Sequence, residues 1–263
     1  PTGGIISPYE VAIAYGDNAV LNGAEVMLNT KVTGLITDQN ELKAVETNKG
    51  IIETELTINA AGVFADKIAE MGGEKIKIKP RKGEYHLFDK EYGFLANHVL
   101  FPIPTEESKG ILVTPTVHGN LLIGPNSYHI DSKNDVSTTK AGMKEVMKGA
   151  KKLIPDLPEN GVITSFSGLR AAAHNEDFII GFSDKISGLI HTAGIQSPGL
   201  SSTPAIADKV VDLVKEYANK REKFELSYKK DFEEKNPEYP HYDDYKNNVA
   251  EWKKYIKKND DYA

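Results

Sequence analysis

Three short stretches combine residue types that can do chemistry. Ser167-Gly168-Leu169-Arg170-Ala171 is a small, apolar strand end that delivers a single arginine. A guanidinium's forked donors match the paired oxygens of a carboxylate or phosphate. The competing use of Arg170 is a solvated surface ion pair. Gly194-Ile195-Gln196-Ser197-Pro198-Gly199-Leu200-Ser201-Ser202 stands between a strand and a helix. Such a loop offers free N–H groups and the positive end of the helix dipole to an anion or an electron-rich carbonyl. It lacks the Gly-Lys-Ser/Thr ending of a phosphate-binding P-loop, and Gly194 to Gly199 does not fit Gly-x-Ser-x-Gly. Ile58-Asn59-Ala60-Ala61-Gly62 ends a strand in small residues, so a flat or phosphorylated ligand can approach its backbone. An ordinary strand-to-helix turn reads the same way. His118, His129 and His191 lack metal-ligand spacing and read as structural or solvated, and Met143 and Met147 read as core.

The elements that must position these residues follow from spacing and punctuation. Ser7-Pro8-Tyr9-Glu10 is a capping box opening a helix, with Val11, Ala14, Tyr15, Asn18 and Ala19 at helical spacing and Asn22-Gly23 as its stop. Strands are predicted at Glu25–Asn29, Val32–Thr37, Glu41–Thr47 and Ile51–Ile58, with Asn48-Lys49-Gly50 as a turn. Val63–Met71 reads as a short helix closed by Gly72-Gly73. Tyr85–Phe88, Ile111–Thr114 and Leu121–Ile123 read as strands, the last two joined by His118-Gly119-Asn120. Ser137-Thr138-Thr139 caps an amphipathic helix carrying Met143, Val146, Met147, Ala150, Leu153 and Ile154, ended by Pro155 and Pro158. Strands follow at Val162–Leu169, Phe178–Ile180 and Leu189–Thr192, then a helix whose core face is Ile206, Val210, Leu213 and Tyr217. After Glu222 the chain turns Tyr- and charge-rich, an arm with a marginal helix near Val249–Ile256. Interleaved helices and strands make this an α/β, mixed α+β protein.

The chain has 263 residues and a formal charge of −6. That balance gives nucleic acid no electrostatic footprint. The absence of cysteine excludes disulfides, thiolate metal sites and a cysteine nucleophile within these residues. No apolar run approaches the roughly 20 residues of a membrane span.

Taken in order, the three stretches resemble the flavin-dependent oxidoreductases of the D-amino-acid oxidase superfamily, most closely the glycerol-3-phosphate dehydrogenase branch. The resemblance covers roughly Pro1 to Tyr217. It includes Gly3-Gly4-Ile5-Ile6-Ser7-Pro8, Gly23-Ala24-Glu25-Val26, Asn29-Thr30-Lys31-Val32, Ile58–Gly62 and Pro80-Arg81-Lys82-Gly83-Glu84-Tyr85. It continues through Gly119-Asn120, Ile123-Gly124-Pro125, Gly168-Leu169-Arg170 and Gly194–Leu200. The resemblance implies a partial Rossmann-like FAD-binding domain interleaved with a mixed-sheet substrate domain. Residues 1–75 and 183–222 would belong to the former, 76–182 to the latter, and 223–263 to a C-terminal arm. It further implies that Val32, Ala61, Gly62, Gly194, Ile195, Gln196, Ser197, Gly199, Leu200 and Ser201 touch FAD. Arg170 matches the family's anion-holding arginine, Tyr85 falls on the strand that projects a Tyr or His at the substrate, and Lys82 would add charge near the anion. In a strand Tyr85 and Leu87 share one face and His86 takes the other, which favours Tyr85.

The expected activity is oxidation of an anionic 2-hydroxy compound, glycerol 3-phosphate first, to dihydroxyacetone phosphate by hydride transfer to FAD. The expected partners are that small anion and a separate electron acceptor. A 2-hydroxy dicarboxylate or an amino acid would suit Arg170 equally well. A reading of another class is a non-catalytic binding or assembly module using the Tyr-rich arm. The dinucleotide fingerprint that opens the family does not occur in the sequence, so an internal fragment, inactive by itself, is expected. Self-association through a truncated sheet face is expected with it. The expected location is cytoplasmic, with peripheral membrane association in relatives that feed electrons to quinones.

Overall fold

The computed structural model describes residues 4–103 and 110–221. The C-terminal arm and the helix expected near Val249–Ile256 lie outside the described residues. Contacts divide the chain into two units: Gly16–Val26 belongs to one, and all other described residues belong to the other.

Helix α1 (Pro8–Leu21) begins at the expected proline, whose missing N–H has no intrahelical partner to lose. The capping box does not form. Ser7 Oγ is buried without a partner, while Glu10 turns toward His118, 3.5 Å away. The first turn closes instead through the Val11 N–H donating to the Ser7 carbonyl. Glu25–Asn29 is not a strand: Asn29 adopts φ +53°, which breaks an extended run.

Strands β1 (Val32–Asp38), β2 (Glu41–Thr47) and β3 (Gly50–Glu53) form an antiparallel meander. Gln39 and Asn40 turn it with two positive φ angles, as a two-residue hairpin loop requires. The run expected as one strand over Ile51–Ile58 is split. Thr54 Oγ1 donates to the Leu56 carbonyl and accepts from the Leu56 N–H, which ends β3 and starts β4 (Thr57–Asn59) in another sheet. Helix α2 (Ala65–Met71) follows.

Strand β5 (Ile78–Phe88) begins well before the predicted Tyr85, with Pro80 inside it. Along its whole length it pairs antiparallel with β9 (Val162–Ala173), which likewise runs past the expected Leu169 end. On its other edge β5 pairs with β7 (Leu121–Gly124) and with β8 (Tyr128–His129), and β7 pairs with β6 (Leu112–Pro115). Helix α3 (Lys140–Ala150) is capped by Thr139 Oγ1, which accepts from the Gly142 N–H at 3.0 Å. Its Val146, Met147 and Ala150 bury against Phe88, Val113, Leu121 and Ile123, the largest apolar core. Strands β10 (Ile179–Phe182) and β11 (Leu189–Ala193) join β4 in a third sheet, in which β11 and β4 run parallel. Helix α4 (Gly199–Asn219) starts within the loop expected to reach Ser202.

Candidate functional site

The β5–β9 ladder decides where the candidate side chains go. Register partners share a face, and alternate residues along each strand do too. Arg81 pairs with Arg170, Gly83 with Gly168, and Tyr85 with Phe166, so all six stand on one face. Arg170 therefore sits in the body of a strand, not at its tip. A Cβ on Gly83 would lie 2.7 Å from Arg170 Nη2 and 2.9 Å from Pro125 Cβ, so only glycine leaves the guanidinium its berth. Next along the face, the Tyr85 ring stacks on Phe166 with centroids 5.2 Å apart. Arg170 is half-buried, and no carboxylate pairs with it among the described residues.

Lys82 is on the opposite face, a correction to its expected place beside the substrate anion. It is buried, with its ammonium 3.0 Å from Asp135 and 3.4 Å from Ser137 Oγ. Hydrogen bonds from the Ser137 hydroxyl, then from Lys82 and the Ser137 N–H, hold Asp135 down to about 2. Glu84, on the same side, is fully buried, accepting from the Thr139 N–H and from Asn126 Nδ2 at 2.7 Å. His86 on this face meets Ser165 Oγ at 2.7 Å and the Met143 carbonyl at 3.2 Å, away from Tyr85.

The second wall comes from the parallel pair. His191 of β11 is opposite Asn59 of β4, so the turn Ala60–Gly62 and the loop from Gly194 leave the same end of the sheet. Ligands of open α/β sheets bind outside such carboxyl ends. Gly62 and Gly194 both take positive φ, +55° and +68°. At Gly194 a Cβ would approach Ala173 Cβ and the Asp177 carbonyl to 2.9 Å. Gln196 is buried and accepts from Arg81, while its Nε2 donates to the Glu176 carboxylate at 2.9 Å. Arg81 Nη1 also reaches Glu176, at 3.3 Å. This strut ties β5 to the loop that starts α4, whose first residue Gly199 follows Pro198 with no side-chain cap. The first-turn N–H groups of Leu200 and Ser201 have no preceding helical carbonyl to bond.

Between these walls lies a cleft of about 900 Å³ lined by Leu169, Arg170, residues 195–201, Thr203 and Pro204, with Ile6, Pro8, Val11 and Tyr15 closing one side. It brings Arg170 together with Ile195, Gln196, Ser197, Gly199, Leu200 and Ser201. Gly194 leads into this lining. Val32, Ala61, Gly62, Tyr85 and Lys82 do not line it: Val32 opens β1 opposite Thr47 in the meander. Sequence reasoning missed Arg81, Glu176, Asn59 and His191 as site-builders. The signals were the place of Arg81 two residues before Gly83, which puts both on one strand face, and that of Asn59 inside the stretch Ile58–Gly62.

Asn59 and His191 form a buried relay behind the Ala60–Gly62 turn. Asn59 Nδ2 donates to the Ala65 carbonyl at 2.8 Å and meets His191 Nδ1 at 3.1 Å, while its Oδ1 accepts from the Ala61 N–H at 3.3 Å. His191 Nε2 meets Glu74 at 3.1 Å, and Ser183 Oγ donates to the same carboxylate. Burial works to raise the Glu74 pKa, but the bonds from Ser183 and His191 outweigh it and leave it lowered.

Residues 1–213 match the model of the DAO family, FAD-dependent oxidoreductases. The chain belongs to this family. A glycerol 3-phosphate dehydrogenase of Caloramator mitchellensis is 44% identical over 225 residues, covering 85% of this chain and 47% of the relative. A glycerol 3-phosphate oxidase of Mycoplasma genitalium is 32% identical, covering 73% of this chain and 52% of the relative. The solved structure of the L-alpha-glycerophosphate oxidase of Mycoplasma pneumoniae, with FAD bound, superposes with a TM-score of 0.68 at 28% identity, over 75% of this chain and 53% of that one. This FAD-dependent oxidoreductase family member thus spans about half the length of the curated relatives it matches. Among the described residues, no helix is long and apolar enough to cross a membrane, and no group of His, Asp and Glu is placed to hold a metal.

Proposed function

We propose that this chain carries the substrate side and part of the flavin side of an enzyme that oxidises an anionic 2-hydroxy compound, glycerol 3-phosphate first, to the corresponding ketone. Residues 76–182 serve the substrate in this reading, and residues 1–75 and 183–222 serve FAD. One observation carries it: Arg170, with no carboxylate partner among the described residues, lines the same cleft as the uncapped start of α4. A half-buried guanidinium without a counter-charge is stabilised when an anion joins it. The names of the relatives support glycerol 3-phosphate as that anion.

The residues suit FAD. Gly62 has open space where a Cβ would stand, and the first turn of α4 presents N–H groups to carbonyl or phosphate oxygens. Bound there, FAD would accept the hydride from the carbinol carbon while the hydroxyl proton leaves to water. Arg170 grips the anionic end of the substrate through two parallel N–H donors. Fixing a reactant in this way can supply about 7–11 kcal/mol of barrier lowering. Tyr85, farther along the same strand face and outside the cleft lining, would meet only a substrate that extends along that face. The Leu200 and Ser201 N–H groups add fixed positive potential at the cleft wall. A separate electron acceptor completes turnover.

The test is steady-state oxidation of glycerol 3-phosphate, a 2-hydroxy dicarboxylate and an amino acid by the FAD-loaded protein that carries this chain, with a dye as acceptor. We expect glycerol 3-phosphate to be preferred, and Arg170→Ala to lower kcat/KM about 100-fold, the loss of a charged hydrogen-bonded pair. Unchanged kcat/KM in the variant would overturn the assignment of Arg170. Preference for another substrate would overturn the choice of anion.

A further inference from the structure

We infer that His191, acting through Asn59, is a positioning residue for the Ala60–Gly62 turn, with Nδ1 facing the Asn59 amide and Nε2 facing Glu74. The inference rests on the proposed flavin role of that turn for its function, although not for its geometry.

The orientation of the Asn59 amide is read by three neighbours at once. The Ala61 N–H needs an acceptor and therefore takes Oδ1. The Ala65 carbonyl needs a donor and takes Nδ2. The same Nδ2 faces His191 Nδ1, which must then be the bare, accepting nitrogen. The imidazole proton is left on Nε2, where the Glu74 carboxylate accepts it. Asn59 and His191 are both 2% exposed, so water cannot replace a lost partner. A proton added at Nδ1 would set two N–H donors against each other. Turning the amide over to relieve that contact would point Oδ1 at the Ala65 carbonyl and Nδ2 at the Ala61 N–H, breaking both backbone bonds together.

The groups around the ring hold this arrangement. Glu74 reaches it from the segment after α2, itself anchored by Ser183 Oγ and the Asp184 backbone. Helix α2 packs on β11 and contributes Asp66, whose charge Lys133 offsets at 2.5 Å. Strand β10 faces His191 with Gly181, which carries no charge. The turn is exposed at Ala60, Ala61 and Gly62, and its far end is closed by the Phe64 N–H donating to the Ala61 carbonyl at 2.9 Å. The buried amide holds its near end, through the Ala61 N–H.

The experiment compares the Ala61 and Gly62 amide resonances of the full chain by 1H–15N NMR at neutral pH in the wild type, His191→Gln and Glu74→Gln. We expect both resonances to move in His191→Gln, and to move by less in Glu74→Gln, which changes the group that meets Nε2. This second variant decides the matter should His191→Gln not fold. Amides unmoved in the folded variants would overturn the relay. FAD affinity, measured separately by fluorescence quenching, should weaken about tenfold in Asn59→Ala, as loss of the bond that holds the Ala61 N–H implies. An unchanged constant would overturn the turn's role toward the cofactor. Absence of flavin uptake by the wild type would overturn the proposed function instead, leaving the amide resonances to judge the relay.

Discussion

The two faces of β5 carry similar residues to opposite ends. On one face Lys82, Glu84 and His86 are each matched: Lys82 by Asp135, Glu84 by the Thr139 N–H and Asn126, His86 by Ser165 and the Met143 carbonyl. On the other face Arg81 is matched by Glu176 and Gln196, but the neighbouring Arg170 is not matched within the described residues. A satisfied buried charge fixes structure, whereas an unsatisfied one beside a cleft recruits a ligand. Charged residue types therefore say little by themselves, and the alternation of the strand sorts anchors from binders. Lys82 looked like an anion-binding residue in sequence and is, by geometry, an anchor.

Breaking the anchoring face should cost the most stability. Glu84→Ala would leave the buried Asn126 amide without its acceptor and remove the bond from the Thr139 N–H, for a loss of about 2 kcal/mol. Chemical denaturation should register it as a lower midpoint with an unchanged slope. Breaking the binding face should instead cost recognition. In Gly83→Ala the new methyl meets Arg170 Nη2 at 2.7 Å and Pro125 Cβ at 2.9 Å, and pushes the guanidinium from its berth. We expect KM for the anionic substrate to rise about 30-fold, roughly 2 kcal/mol, with a smaller change in kcat. An unchanged KM would place the anion elsewhere.

The smallest effect concerns acid. The folded-state pKa of Glu74 is lowered, so the carboxylate adds stability above its unfolded value, and that contribution is lost as pH falls through the folded one. Glu74→Gln should therefore be less stable than wild type at neutral pH and should show a shallower decline on the acid side. Parallel acid unfolding curves for the two proteins would contradict this.

Much of the site was legible because its chemistry is local in sequence. Arg170 and the Gly194–Ser202 loop stand out by residue type, and the start of α4 brings them to one cleft. What stayed hidden depends on pairing between distant segments. Gly83 shows its purpose only once its register with Gly168 puts Arg170 above it. The Asn59–His191 contact joins residues on two strands far apart in sequence. Single side chains also redirected the backbone against pattern: Thr54 broke an apparent strand by bonding its neighbour, and Glu10 went to His118 instead of back to the helix start. Periodicity sees neither, because both depend on what lies beside the segment. The extension of β5 through Pro80 has the same origin, since its long ladder with β9 outweighs one missing donor.

The most direct test of the contrast between the two faces is to follow the guanidinium N–H resonances of Arg170 and the ammonium of Lys82 while titrating glycerol 3-phosphate into the FAD-loaded protein. We expect a saturable shift at Arg170, accompanied by the Leu200 and Ser201 amides, with Lys82 silent. A saturable shift at Lys82 with Arg170 unmoved would contradict the assignment.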